Sequence, residues 1–279
     1  MFKKFYGFEK EPFNITPDPD FLYLSDSHRE ALAQLTYGIE TKKGFILITG
    51  EVGVGKTTII NAFLRDLATT EAITAFIFNT KISRLLFFQR ICYDLGLSKP
   101  YNKEEFLVML NHFLMKCHAR NKGPVVFIVD EAHNLDDDLL EEVRLLLNLE
   151  TAKEKLLQIV LSGQVELWKR LTKPNLRQLR QRIVLQHKIK PLNEQDMRGY
   201  IDTRIKIAGG KDNIFDEKAL KYIFRYSQGI PRLINVICTH ALISGYATGK
   251  NVISPNIIKE IANDLELTTP TFFSFQRRR

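Results

Sequence analysis

The stretch that decides the fold is residues 46–60, "ILITGEVGVGKTTII". An apolar run breaks into three glycines, a lysine and two threonines, and then turns apolar again. The spacing of Gly50, four further residues, Gly55, Lys56 and Thr57 is that of a phosphate-binding loop set between a strand and a helix. A side chain at Gly53 or Gly55 would keep the backbone from wrapping a phosphate, and the backbone N–H groups and the helix N-terminus supply positive potential. Gly50, Gly53, Val54, Gly55, Lys56, Thr57 and Thr58 are therefore the candidate cradle. The Lys56 ammonium belongs near the β and γ phosphates and the Thr57 hydroxyl suits Mg²⁺, so ATP and Mg²⁺ are the expected cofactors.

The second half of such a site is an acid at the end of a buried strand. "VVFIVDEAHN" supplies Asp130 for the Mg²⁺ shell and, next to it, Glu131 to orient or deprotonate an attacking water. Nucleotide binding needs the first carboxylate; hydrolysis benefits from the second. Further on, "IVLSGQVEL" puts Ser162 and Gln164 at the end of another apolar strand, where a parallel sheet faces its ligand. Gln164 would sense the γ-phosphate or position the water. "NLRQLRQRI" offers Arg177, Arg180 and Arg182, with Arg182, at the start of a fifth strand, the first choice and Arg177 the second for a cation that stabilises the transition state from a neighbouring subunit. In "SQGIPRLINVI", Pro231 sits in the first turn of a helix and Arg232 follows it. A cation at the positive end of a helix dipole loses about 0.3–1 kcal/mol, a conflict that a nearby anion removes. Arg232 is therefore read as a phosphate contact.

Around these motifs the chain alternates. Apolar strands at "GFILITG", "AITAFIFN", "PVVFIVD", "LLQIVLSG" and "RIVLQHKI" are separated by helices, which predicts a parallel sheet covered on both faces. After Pro191 the strand signal stops and residues 193–208, 216–226, 231–247 and 254–265 read as helices. The predicted organisation is an N-terminal arm over 1–24, broken by Pro12, Pro17 and Pro19, an α/β core over 25–191, a helical domain over 192–266 and a basic tail over 267–279. The arm's aromatics call for burial. Ser25, Ser83 and the acids 136–138 read as helix starts.

Composition narrows the setting. Of 279 residues, 44% are hydrophobic and 26% charged, as in an ordinary globular protein, and no apolar run approaches the ~18–20 residues that span a bilayer. "MFKKFYGFEKEPF" has charges where an export signal needs an apolar centre, and three scattered cysteines suggest buried thiols in a reduced compartment. A cytoplasmic location is expected, peripheral to the inner membrane at most. The net charge of +8 is uneven: residues 172–206 hold nine Lys/Arg against three Asp/Glu, and the chain closes on "FSFQRRR".

Taken together, these residues resemble the AAA+ ATPases: an α/β P-loop NTPase parallel sheet with a C-terminal helical lid domain. The resemblance makes "GEVGVGKTT" the Walker A loop, "FIVDEAH" the Walker B strand, Gln164 sensor 1, Arg182 the arginine finger and Arg232 sensor 2. "FYGFEKEPFNITPDPDFLYLSDSHREALAQLTYGIE", "LLQIVLSGQVELWKRL" and "QGIPRLINVICTHALI" are similar to the general secretion pathway protein A type, over roughly residues 1–265. His133 stands where that type often has Gln. Longer relatives continue into a membrane segment and a peptidoglycan-binding region, which "TFFSFQRRR" does not match. The resemblance implies a homo-oligomer with ATP at subunit interfaces, working on a protein partner of a secretion or pilus apparatus; the short apolar runs are what lead us to expect no transmembrane segment. Similar transposition ATPases bind DNA, so an ATP-switched DNA-binding regulator of a mobile element is the alternative. A nucleotide-dependent interaction protein with little turnover is a third reading, against which Glu131 stands. "DEAH" also echoes the DEAH helicases, but those need a second α/β domain where this sequence reads as helices.

Overall fold

Five parallel strands carry the α/β region of the computed structural model, which describes residues 1–16, 18–78 and 82–267. In chain order the helices and strands are α1 (Phe2–Tyr6), α2 (Asp26–Glu40), β1 (Phe45–Gly50), α3 (Lys56–Leu67), β2 (Ile73–Ile77), α4 (Arg84–Asp94), α5 (Lys103–Ala119), β3 (Val125–Val129), α6 (Asp137–Leu146), β4 (Leu157–Gly163), α7 (Val165–Leu171), α8 (Arg177–Gln181), β5 (Leu185–Ile189), α9 (Glu194–Ile207), α10 (Glu217–Ser227), α11 (Pro231–Ala247) and α12 (Pro255–Asp264). They divide into two compact units: Asp26–Lys190, and Met1–Ser25 together with the chain from Pro191 on.

In the α/β unit the strand order is β2-β3-β4-β1-β5. The three central strands are buried along their whole length, as their continuous Val/Ile/Leu/Phe runs require, while β2 and β5 at the edges are only partly covered. Gln158 is a buried polar residue near the start of β4. Its amide oxygen accepts from the Gly44 N–H at 2.7 Å and its amide nitrogen donates to the Lys155 carbonyl at 3.2 Å, so both ends are satisfied. Registers Thr49↔Gly163, Gly50↔Ile189 and Val129↔Leu161 bring the C-terminal ends of β1, β3, β4 and β5 to one edge. Helix starts follow their signals. Ser83 accepts from Leu86 N–H and Asp136 from Leu139 N–H, each such cap stabilising by about 1 kcal/mol. On one face of the sheet Phe88 stacks on Phe106 at 4.3 Å, within a core that includes Phe45, Phe87 and Phe127.

One expectation is corrected here. The apolar run after Arg182 suggests a strand over 182–189, but α8 continues to Gln181 and Arg182 caps its C-terminus, its N–H donating to the Leu179 carbonyl. Pairing with β1 begins only where the Val184 N–H reaches the Phe45 carbonyl, and β5 is Leu185–Ile189. Arg182 therefore stands at a helix end rather than at a strand start.

The helical unit packs α9–α12 around Met197, Ile201, Ile223, Ile237 and Ile258, and its core also takes Tyr6, Phe8, Phe13 and Phe21 of the N-terminal arm. The turn before α11 needs Gly229, whose φ is +73°. A Cβ there would lie 1.9 Å from the Leu192 carbonyl oxygen. Cys92, Cys117 and Cys238 are free and buried, and burial pushes the Cys92 thiol up to about 11. Among the described residues no helix is long and apolar enough to cross a membrane. The basic tail lies outside them, Leu267 excepted.

Candidate nucleotide site

The loop after β1 folds as its glycines allow. Gly53 and Gly55 take φ of +82° and +100°, left-handed values that an L side chain rarely adopts. Gly55 is the N-cap of α3 and offers no side chain, so the first N–H groups of that helix, at Lys56, Thr57 and Thr58, receive no side-chain cap. That arrangement suits an anion. Val54 is fully buried, and its carbonyl is bonded to His28 Nε2 of α2 at 2.9 Å. The same nitrogen would lie 3.0 Å from a Cβ at residue 55. His28 thus props the loop from behind.

Lys56 is only 5% exposed. Its ammonium donates to the carbonyls of Gly50 (3.1 Å) and Glu51 (2.8 Å), arched over the loop it belongs to. Burial lowers its pKa, against the pull of the Glu131, Asp130, Glu166 and Glu51 carboxylates. A buried cation with carbonyl partners and carboxylates only at longer range is under-compensated, which is a reason for it to seek an anion. The Thr57 hydroxyl donates to Asp130 Oδ2 at 2.7 Å, and Asp130 Oδ1 accepts the Glu131 N–H at 2.9 Å. Glu131 itself holds φ +52°, a left-handed conformation that costs a non-glycine residue on the order of 1 kcal/mol. One step along β4, Ser162 is fully buried and its hydroxyl finds no hydrogen-bond partner among the described residues.

These features test whether a triphosphate and Mg²⁺ suit the residues present, and they do. Two glycines are held at positive φ and α3 starts without a side-chain cap. A buried ammonium faces carboxylates, a hydroxyl–carboxylate pair stands ready as an oxygen donor set, and one polar atom is orphaned at the same sheet edge.

The structure brings together Gly50, Gly53, Val54, Gly55, Lys56, Thr57, Thr58, Asp130 and Glu131 on the loop, the first turn of α3 and the end of β3. Gln164 follows β4 as the N-cap of α7, half-buried, with no side-chain capping bond, so its amide is not consumed by the helix. Its backbone N–H donates to His133 Nδ1 at 3.4 Å. Arg177 is exposed at the start of α8, and Arg182 donates to Asn148 Oδ1 at 3.0 Å. Pro231 and the exposed Arg232 open α11 in the helical unit.

Sequence reasoning missed two residues. His28 is one, although it falls on the buried stripe of α2 with Ala31, Leu35 and Ile39, a spacing of three, four and four that marks it as inward-facing. Arg170 is the other. It donates to the carbonyls of His133 (2.8 Å) and Leu135 (2.7 Å) and to Asp137, and so pins the segment after Glu131 to α7. Nothing local marks it, because its partners lie more than thirty residues away.

A parallel sheet ordered 5-1-4-3-2, with a glycine loop after β1 and an acid pair after β3, on the two sides of β4, defines a P-loop nucleotide-binding module of the AAA+ class. A family profile described as "AAA domain" matches residues 39–171. Solved structures share the fold: an Aeropyrum pernix ORC2 protein at TM-score 0.68 and 16% identity, covering 92% of this chain and 72% of that one, and Cdc6p of Pyrobaculum aerophilum at TM-score 0.66 and 18% identity, covering 88% and 70%. The Thermotoga maritima RuvB Holliday junction branch migration motor aligns at TM-score 0.55 and 14% identity, covering 86% and 70%.

The chain belongs to the AAA+ family and is of the general secretion pathway protein A type. It is 44% identical over 258 residues to General secretion pathway protein A of Aeromonas hydrophila, a match that takes in 91% of this chain. It spans 46% of that relative's length, less than half.

Proposed function

We propose that this chain is an ATPase that binds ATP with Mg²⁺ and hydrolyses it to drive conformational switching of a bacterial secretion or pilus-type assembly. The observation that carries the reading is the cluster at one sheet edge: under-compensated Lys56, the Thr57–Asp130 pair and the strained Glu131. In this reading Lys56 and the first-turn N–H groups of α3 bind the phosphates, and Thr57 and Asp130 hold the metal. Bound Mg²⁺ would neutralise charge on the phosphate oxygens. Glu131 holds or accepts the proton of the attacking water, and Gln164 orients that water. Arg182, with Arg177 second, is proposed to serve the site of a neighbouring subunit in a homo-oligomer. Pro231 and Arg232 are proposed as nucleotide contacts on sequence grounds, through the cation placed at the positive end of α11. The partner is proposed to be a protein of the secretion or pilus apparatus, a secretion role being what the name of the Aeromonas relative suggests, and the proposed meeting place is the cytoplasm.

Phosphate release tests the reading. Glu131→Gln is expected to lower turnover by about a hundredfold or more while ATP still binds. Equal rates for wild type and variant would leave a binding protein without catalysis. In the same assay Arg182→Ala should cut turnover and particle mass together; a variant normal in both loses the trans role. A second reading, ATP-switched DNA binding, is favoured by the exposed cations Lys169, Lys173, Arg177, Lys188 and Lys190. Adding duplex DNA at low salt reads it directly, since phosphate neutralisation makes affinity fall steeply as salt rises.

A further inference from the structure

His133, the last residue of the "DEAH" run, meets both sides of the proposed catalytic edge with one atom. Its Nδ1 lies 3.4 Å from Glu131 Oε2 and 3.4 Å from the backbone nitrogen of Gln164, which donates to it. Both separations exceed the usual 2.7–3.2 Å of a well-made N–H···O bond. One ring nitrogen has one in-plane position for a hydrogen bond. With a bare lone pair, Nδ1 accepts from Gln164 N–H and faces the Glu131 carboxylate lone pair against lone pair. Carrying a proton, it donates to Glu131 and must release Gln164. The two bonds exclude each other.

The surroundings hold the ring to this choice. The His133 side chain is 15% exposed. Its carbonyl is gripped by Arg170, which also binds Leu135 O and Asp137, while Asn175 holds the other Asp137 oxygen at 2.8 Å. Arg170 sits on α7, the helix that Gln164 caps. At the end of β4, a Cβ on Gly163 would come within 3.2 Å of the His133 backbone nitrogen. A displacement at the β4–α7 junction therefore reaches His133 by two routes, through its ring and through its carbonyl.

We propose that His133 is a positioning residue whose Nδ1 alternates between Gln164 N–H and the Glu131 carboxylate, and so couples the end of β4 to the aim of Glu131. The inference rests on the reading of Glu131 as the residue that handles the attacking water. Its consequence is specific: state changes at Gln164 are reported to Glu131 through one atom, and a side chain able to serve both partners at once keeps Glu131 aimed without the choice.

The test compares His133→Leu, which can make neither bond, with His133→Gln, whose amide oxygen accepts from Gln164 N–H while its NH₂ donates to Glu131. Both are measured in the full chain for MgATP affinity and for single-turnover phosphate release, beside wild type and Glu131→Gln. The expected result is a loss of about tenfold or more in turnover for His133→Leu, ATP affinity within about twofold of wild type, and recovery to within about threefold in His133→Gln. Normal ATP affinity in His133→Leu also reports that the variant is folded. The proposal is overturned if His133→Leu turns over as wild type does, if His133→Gln loses as much as His133→Leu, or if the loss appears in affinity and not in turnover. A wild-type rate in Glu131→Gln removes the underlying reading instead, and the inference with it.

Discussion

Each unit buries a cation, Arg204 in the helical unit and Lys56 in the α/β unit, and the two are treated in opposite ways. In the helical unit Arg204 is 6% exposed, yet every arm of its guanidinium is used. Nε donates to the Pro12 carbonyl at 2.5 Å, one terminal nitrogen to the Tyr200 hydroxyl at 3.1 Å and the other to the Asn14 carbonyl at 3.3 Å. The group also lies over the rings of Phe21 (4.8 Å) and Tyr200 (5.3 Å). The Tyr200 hydroxyl donates to Asn235 Oδ1, and the Asn235 amide nitrogen donates to Asn14 O. This network ties down the proline-broken arm, which has carbonyls to satisfy and no regular partner for most of them. In the α/β unit, among the described residues, the buried Lys56 keeps only loop carbonyls as hydrogen-bond partners and the Ser162 hydroxyl has none, and Glu131 is strained. A closed hydrogen-bond account marks a group that builds the fold. An open account at one sheet edge marks a group kept for a ligand.

The comparison breaks at its strongest point if Arg204 proves dispensable. Arg204→Met removes three hydrogen bonds and takes from the Pro12 carbonyl its donor, while Asn14 O keeps Asn235. It should cost about 3 kcal/mol in chemical denaturation, and the arm should become susceptible to protease. Stability unchanged within error would show that the network is ornamental. Ser162→Ala sharpens the other side, with the opposite sign. Deleting an unsatisfied buried hydroxyl should leave the nucleotide-free protein as stable as before or more stable, by up to about 1 kcal/mol, read from the same denaturation curves. A loss of 2 kcal/mol or more there would mean that the hydroxyl has a structural partner after all.

Much of this was legible in advance, for identifiable reasons. The loop between β1 and α3, the acids ending β3 and the polar end of β4 are local patterns, each fixed by a few neighbouring residues. Ser83 and Asp136 announced their helices because a cap acts within three residues. Arg182 was misplaced because Ile183, Val184 and Leu185 read as the continuation of a strand. The short α8 before them lacks the length to show a period. His28, Arg170 and the two-sided position of His133 depend on contacts across 26, 37 and 31 residues, which no window of sequence displays. The arm's aromatics asked for burial, but the sequence did not say which core would receive them. They went to the helical unit, where the buried Arg204 meets the arm's carbonyls.

The claim beneath all of this is that a buried ammonium left under-compensated at Lys56 is there for a triphosphate. Calorimetric titration of MgATP into wild type and Lys56→Ala, both checked for the same cooperative melting, addresses it without any need for turnover. The account predicts a saturable wild-type isotherm and an affinity at least about a hundredfold weaker in the variant. Matching isotherms for the two proteins would contradict it.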